Sequence, residues 1–176
     1  MDMKKLSVLM FIISFPIFNL NALDIKVNVK ADVVIPPCKI NNEQVINLDF
    51  GDIPVTNIHM NLNHILTKTV DVTCEYYQQR PYVKLIGEQL GGADTHILAT
   101  NIENFGIAMF QGVGTGTPMQ IGDGTGSIGY EITDGLSAIN SGNSSFTFTA
   151  APYQLSGMPV MAGDFRASAM IDIIYM

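Results

Sequence analysis

Three histidines, two cysteines and sixteen carboxylates are the side chains of this 176-residue chain from which chemistry would have to be built. His59 and His64 stand five apart in a polar stretch and His96 is distant, which is not a metal-ligand spacing on one element. Gly112-Val113-Gly114-Thr115-Gly116 and Gly122-Asp123-Gly124-Thr125-Gly126 have the glycine density of phosphate-binding loops. Neither runs into a helical pattern, and no Gly-Lys-Ser/Thr comes after them, so they read as turns. Asp49 with Asp52, and Asp123 with Asp134, are the carboxylate pairs available for acid–base work. Nothing around them suggests a buried pocket to shift their pKa values, and solvated turn carboxylates are commoner. A G-x-S-x-G nucleophile elbow is absent. Asn143-Ser144-Ser145 is a glycosylation sequon, which matters only in a glycosylating secretory route. The chain offers no catalytic constellation, no metal set and no cofactor motif, so it reads as a non-enzyme.

Charge narrows the partners. Lys and Arg number 9 against 16 Asp and Glu, a net of −7, and the basic residues are scattered. Nucleic-acid binding leaves a basic footprint, and none is present.

The elements that position these residues begin with a segment that is not expected to belong to the fold. Residues 1–22 place Lys4 and Lys5 before an apolar run from Leu6 to Phe18, followed by Asn19-Leu20-Asn21-Ala22. This is the layout of a secretory signal peptide, with cleavage most simply after Ala22. As a membrane anchor the run is shorter than the ~20 residues a span requires. The rest of the chain has no other long apolar stretch, so the mature protein is expected to be exported without a membrane span. In an oxidising compartment two lone cysteines pair with each other, which predicts a Cys38–Cys74 disulfide around a loop of about 36 residues.

The mature chain has a period of two rather than 3.6. Val45–Phe50, Leu66–Cys74, Tyr82–Ile86, Phe105–Phe110, Ser145–Thr149 and Phe165–Tyr175 read as strands, separated by Gly, Pro, Asn, Asp and Ser clusters. The predicted class is an all-β sandwich, with the disulfide joining the start of one early strand to the end of the next.

The two ends are the most regular. Ile25, Val27, Val29, Ala31, Val33 and Ile35 fall on one face of an alternating segment, with Lys26, Asn28, Lys30 and Asp32 on the other. Pro36-Pro37 then separates this strand from the remainder of the chain. From the pattern alone it is either an ordinary first strand of its own sandwich or a separate extension. At the other end Phe165, Ala167, Ala169, Ile171, Ile173 and Tyr175 share a face. So apolar a strand requires neighbours on both sides, and no later strand supplies one.

Taken together these residues resemble the subunits of chaperone–usher pili over essentially the whole mature length. Gly163 is fourteenth from the C-terminus and Tyr175 penultimate, as in that family's C-terminal signature. An alternating strand before a cysteine, a two-cysteine loop and a signal peptide complete the likeness. Ile35-Pro36-Pro37-Cys38-Lys39-Ile40-Asn41-Asn42 and Leu98-Ala99-Thr100-Asn101 with Phe105-Gly106-Ile107-Ala108 are most similar to the minor tip adaptor of P pili.

The resemblance implies an incomplete immunoglobulin-like sandwich that lacks its last strand and is completed by a donor strand from another chain. It implies three parts: a removed signal peptide at 1–22, an N-terminal donor extension at 23–36 and a pilin domain at 37–176. Ile25, Val27, Val29, Ala31, Val33 and Ile35 would be the donor residues. Gly163, Phe165, Ala167, Ala169, Ile171, Ile173 and Tyr175 would form the strand that flanks the groove and meets the chaperone. The implied partners are a periplasmic chaperone, the outer-membrane usher and adjacent pilus subunits including the tip adhesin, and the implied location is the cell-surface pilus. Family donors usually carry Gly near the middle where this chain has Ala31. A rod or terminating subunit, or a self-sufficient carbohydrate-binding sandwich, are the competing readings. The last lacks Trp for sugar stacking and would have to use Tyr76, Tyr77 or Tyr82.

Overall fold

The computed structural model describes residues 25–58 and 64–176. The expected signal peptide, the first two residues of the extension, and His59 lie outside the described residues. Among the described residues nine strands run in order: β1 Lys39–Ile40, β2 Leu66–Thr73, β3 Pro81–Gly87, β4 Ile97–Ala99, β5 Phe105–Gln111, β6 Thr117–Pro118, β7 Tyr130–Glu131, β8 Asn143–Gln154 and β9 Ala169–Tyr175.

Period-two alternation sorts these strands into layers. In β2, Val70 and Val72 are buried while Thr69, Asp71 and Thr73 face solvent. Their partners in β8 repeat the pattern, Phe146 lying opposite Val70. On the outer face the Thr67 and Thr149 hydroxyls pair at 3.0 Å and those of Thr69 and Thr147 at 2.8 Å. The large sheet has the order β1-β2-β8-β5-β4, with β6 also on β5; the small sheet is β7-β3-β9. All pairs are antiparallel. Val83, Phe146, Ile173 and Tyr175 are fully buried in the core.

Strand β5 is buried on both faces. Phe105, Ile107 and Met109 join the main core, whereas Ala108 and Phe110 enter a second cluster with Leu90, Ile97 and Ala151. Strand β8 outlasts its expected length and carries Pro152 opposite Ile107 of β5. Its pairing with β2 has already ended at Ala150, so the proline falls where β8 has one neighbour only. The Cys38–Cys74 disulfide is formed and ties the residue before β1 to the residue after β2.

Two expectations change. Val45–Phe50 keeps its alternation, with Ile46, Leu48 and Phe50 half-buried, yet it pairs with no strand. The C-terminal strand begins at Ala169 rather than Phe165, because its partner β3 ends at Gly87. Beyond that point Asn101 takes over: its N–H donates to the Arg166 carbonyl at 3.2 Å, and its side-chain oxygen accepts from the Arg166 N–H.

The chain divides into two units, 1–33 and 34–176. In the described part of the first, residues 25–33, every residue is exposed and none belongs to a strand.

Candidate functional site, an open groove beside the last strand

In β9 alternate residues direct their main-chain groups to the same side. The Cys38 N–H donates to the Ile173 carbonyl at 2.7 Å, which identifies the side turned away from β3. Ile171 and Ala169 present their N–H and C=O groups to that same side, where β9 has no neighbouring strand among the described residues. A row of backbone donors and acceptors is thus left open beside an apolar surface. An open strand edge is a template for pairing with another chain, so this edge has the chemistry of an unfilled strand position.

Opposite β9 the groove is flanked by Val45–Phe50, the alternating segment without a strand partner. Leu85, Leu98, Ile107, Met109, Met119 and Phe148 form the floor of a cavity of about 860 Å³. A second cavity of about 320 Å³ continues past the start of β9, walled by Ile53, Ile58, Ile102 and Phe105 and reaching Gly163. Leu48, Phe50 and Phe165 line both. Phe165 packs on Phe50 at 5.9 Å and edge-on to Phe105 at 4.9 Å between ring centroids.

The C-terminal residues singled out in the sequence divide by position. Phe165, Ala167, Ala169 and Ile171 line the larger cavity and Gly163 the smaller. Ile173 and Tyr175 share their face but line neither cavity, being fully buried in the core. Burial holds the Tyr175 hydroxyl above the ordinary tyrosine range. Ile25, Val27, Val29, Val33 and Ile35 are exposed, Ile25 at 79% and Val33 at 100%, and Ala31 is exposed with them. Sequence reasoning left out the opposite flank and the whole floor. The alternation of Val45–Phe50 was the available signal for the flank.

The other chemistry-bearing residues sit in turns. Asp49 accepts from the Gly51 N–H at 2.9 Å, Asp123 from the Ser127 hydroxyl at 2.8 Å, and Asp134 from the Gly135 N–H at 2.7 Å. Gly112 and Gly124 take positive φ of 74° and 66°. At both, the space for a Cβ is already occupied, by the Asp134 carboxylate and by the Gly129 carbonyl, so glycine is required there. Tyr76 packs against the core rather than standing free. Among the described residues no three His, Cys, Asp or Glu side chains gather as a metal site would need, and no helix is long and apolar enough to cross a membrane.

A family described as "Fimbrial protein" matches residues 24–176. The chain belongs to the fimbrial protein family. It is 39% identical over 152 residues to the fimbrial adapter PapF of Escherichia coli, covering 86% of this chain and 88% of that protein. The minor fimbrial protein PrsF of Escherichia coli is 38% identical over the same shares. A solved structure of the P pilus adaptor subunit PapF superposes with a TM-score of 0.58 at 35% identity, covering 82% of this chain and all of the other. The P pilus rod subunit PapA shares the fold at 21% identity with a TM-score of 0.55. This fimbrial subunit is accordingly an immunoglobulin-like sandwich without its last strand.

Proposed function

We propose that this fimbrial subunit is a minor adaptor of a chaperone–usher pilus that joins its neighbours, the tip adhesin among them, by exchanging strands. Its groove receives a strand from another chain, first from a periplasmic chaperone and then, at the outer-membrane usher, from the next subunit's extension. Its own segment, residues 23–36, does the same for a neighbour through Ile25, Val27, Val29, Ala31, Val33 and Ile35. The finished assembly stands at the cell surface, and the protein's work is structural rather than catalytic. The likeness to PapF and PrsF supports the adaptor position.

One observation carries the reading: β9 has an unpaired edge directly above an apolar floor. Strand addition satisfies both at once, main-chain bonds giving affinity and alternate side chains giving specificity. Each aliphatic side chain seated in such a groove contributes roughly 1.5–3 kcal/mol. The cost of ordering a flexible extension offsets much of that gain. The exposed apolar face of residues 25–35 is the other half of the same arrangement.

The test compares thermal melts of residues 37–176, with the disulfide formed, alone and with a donor segment tethered at the C-terminus. A rise of tens of degrees from a poorly folded parent is the expected result. Two sharp melts at the same temperature would mean that the sandwich is self-sufficient and would favour a binding module.

A further inference from the structure

We infer that the Gly163 end of the groove selects a donor segment carrying a lysine or arginine just beyond its last apolar side chain. The inference rests on the strand-accepting reading above and specifies the partner's chemistry. The unpaired β9 edge and the apolar floor are what call for a strand; the charges around them decide which strand.

Those charges are unevenly placed. Asp49, Asp52 and Asp164 all line the cavity of about 320 Å³, and no Lys or Arg lines it. The larger cavity has one residue of each sign, Glu88 and Arg166. Asp49, Asp52 and Asp164 are exposed, and among the described residues the one ion pair, Arg80 with Glu131, lies elsewhere. A donor filling the groove up to this end meets three like charges at one mouth. A cationic side chain relieves their mutual repulsion, and an acidic one adds to it.

Register gives the charge a purpose that apolar contacts cannot serve. A slip of one residue turns a donor's apolar face to solvent and is strongly opposed. A slip of two keeps every aliphatic side chain on the correct face, so alternating Val and Ile discriminate poorly against it. A basic residue at the end of the apolar run moves by a full two-residue step in that slip, out of reach of the aspartates. Such rim charges act mainly on association rate and on partner choice.

The experiment uses the full secreted chain in complex with its chaperone and labelled peptides based on Leu23–Ile35. Two lysines or two glutamates are appended at either the N- or the C-terminal end, and entry into the subunit is timed. At low ionic strength one lysine peptide should enter about fivefold faster than its glutamate counterpart, the difference disappearing in ~1 M salt. The end at which it appears reports the direction of the incoming strand. The Asp49→Asn, Asp52→Asn and Asp164→Asn triple variant, changed only at exposed positions, should accept all four peptides at similar rates. Equal rates for lysine and glutamate peptides on the unmodified subunit, while all of them enter, would overturn the charge selection and leave strand acceptance standing. Entry of none of the peptides, the unextended one included, would overturn strand acceptance itself.

Discussion

The Cys38 N–H and the Ile173 carbonyl meet at 2.7 Å, and this bond is where the outer edge of β9 ceases to be paired. Immediately afterwards the chain leaves β9. Asn41, Asn42 and Glu43 take successive positive φ values of 48°, 51° and 63°, a left-handed run that redirects the backbone. Asparagine tolerates this region better than most residues, whereas glutamate adopts it at a cost of about 1–2 kcal/mol. The segment then returns as Val45–Phe50 on the far side of the groove. The opening is therefore bounded by covalent and hydrogen-bonded structure at its Cys38 end and remains open toward Gly163.

Ile171 is the residue on which the groove can be tested without dismantling the core. It is half-buried and lines the larger cavity, while Ile173 is completely buried and a charge there would unfold the sandwich. Ile171→Asp places a carboxylate against the floor a donor must cover, a desolvation cost of several kcal/mol. Chaperone co-purified from periplasmic extracts should fall more than tenfold. Met170→Asp, one residue away on the opposite face and 67% exposed, should leave capture unchanged. Normal capture of the Ile171 variant would remove β9 from the contact.

Deleting residues 25–35 separates giving a strand from receiving one. The segment belongs to no strand and all of its residues are exposed, so the sandwich loses no paired backbone with it. Chaperone capture should be unaffected, while addition to the neighbour that takes this strand should stop. Assembly of the shortened chain on both sides, seen as unchanged polymer ladders on gels, would show that the extension is not the donor.

Much of the fold is legible in the alternation of hydrophobic residues, because a half-buried antiparallel strand can hardly be built without it. Leu66–Cys74 and Tyr82–Ile86 lie within a residue or so of β2 and β3. What the pattern hides is pairing. Val45–Phe50 looks as strand-like as either, and only the course of the chain after Asn41–Glu43 leaves it without a partner. Likewise Phe165 to Ser168 continue the alternation of β9, yet the strand starts at Ala169 because β3 ends first. The groove floor was least visible. Leu98 lies in a three-residue strand and Met119 just beyond a two-residue one, both too short to show a period, and they reach the groove through pairing of those strands with β5. The rim aspartates are ordinary turn residues in sequence, and only the fold gathers Asp49, Asp52 and Asp164 around one opening.

The disulfide should contribute measurably to the donor-completed sandwich. Linking residues 36 apart removes loop entropy from the unfolded chain, a stabilisation of about 3–4 kcal/mol in that account. The Cys38→Ala, Cys74→Ala double variant should therefore lose about that much in urea denaturation. Cys38 also bonds to Ile173, so the loss should be accompanied by faster amide exchange at the closed end of the groove. A loss below about 1 kcal/mol would mean that the unfolded chain is already constrained in this region.

His96 makes the stability depend on pH in a direction that can be worked out. Its ring packs against Phe110 at 5.2 Å, and its carbonyl accepts from the Met109 N–H at 2.9 Å, which anchors it beside β5. Burial lowers its pKa below 6.5, with the nearby Asp94 carboxylate opposing that shift less strongly. The unfolded chain thus takes up a proton at His96 before the folded one does. The contribution is fully present above pH 6.5 and is lost as pH falls from there through the lower folded-state value. The informative quantity is the difference from His96→Gln, which cannot titrate. Urea midpoints of the donor-completed sandwich between about pH 7.5 and about pH 5.5 should fall further for the unmodified protein than for this variant. Parallel lines for the two proteins across that range would mean that the ring is as well solvated in the folded state as in the unfolded one.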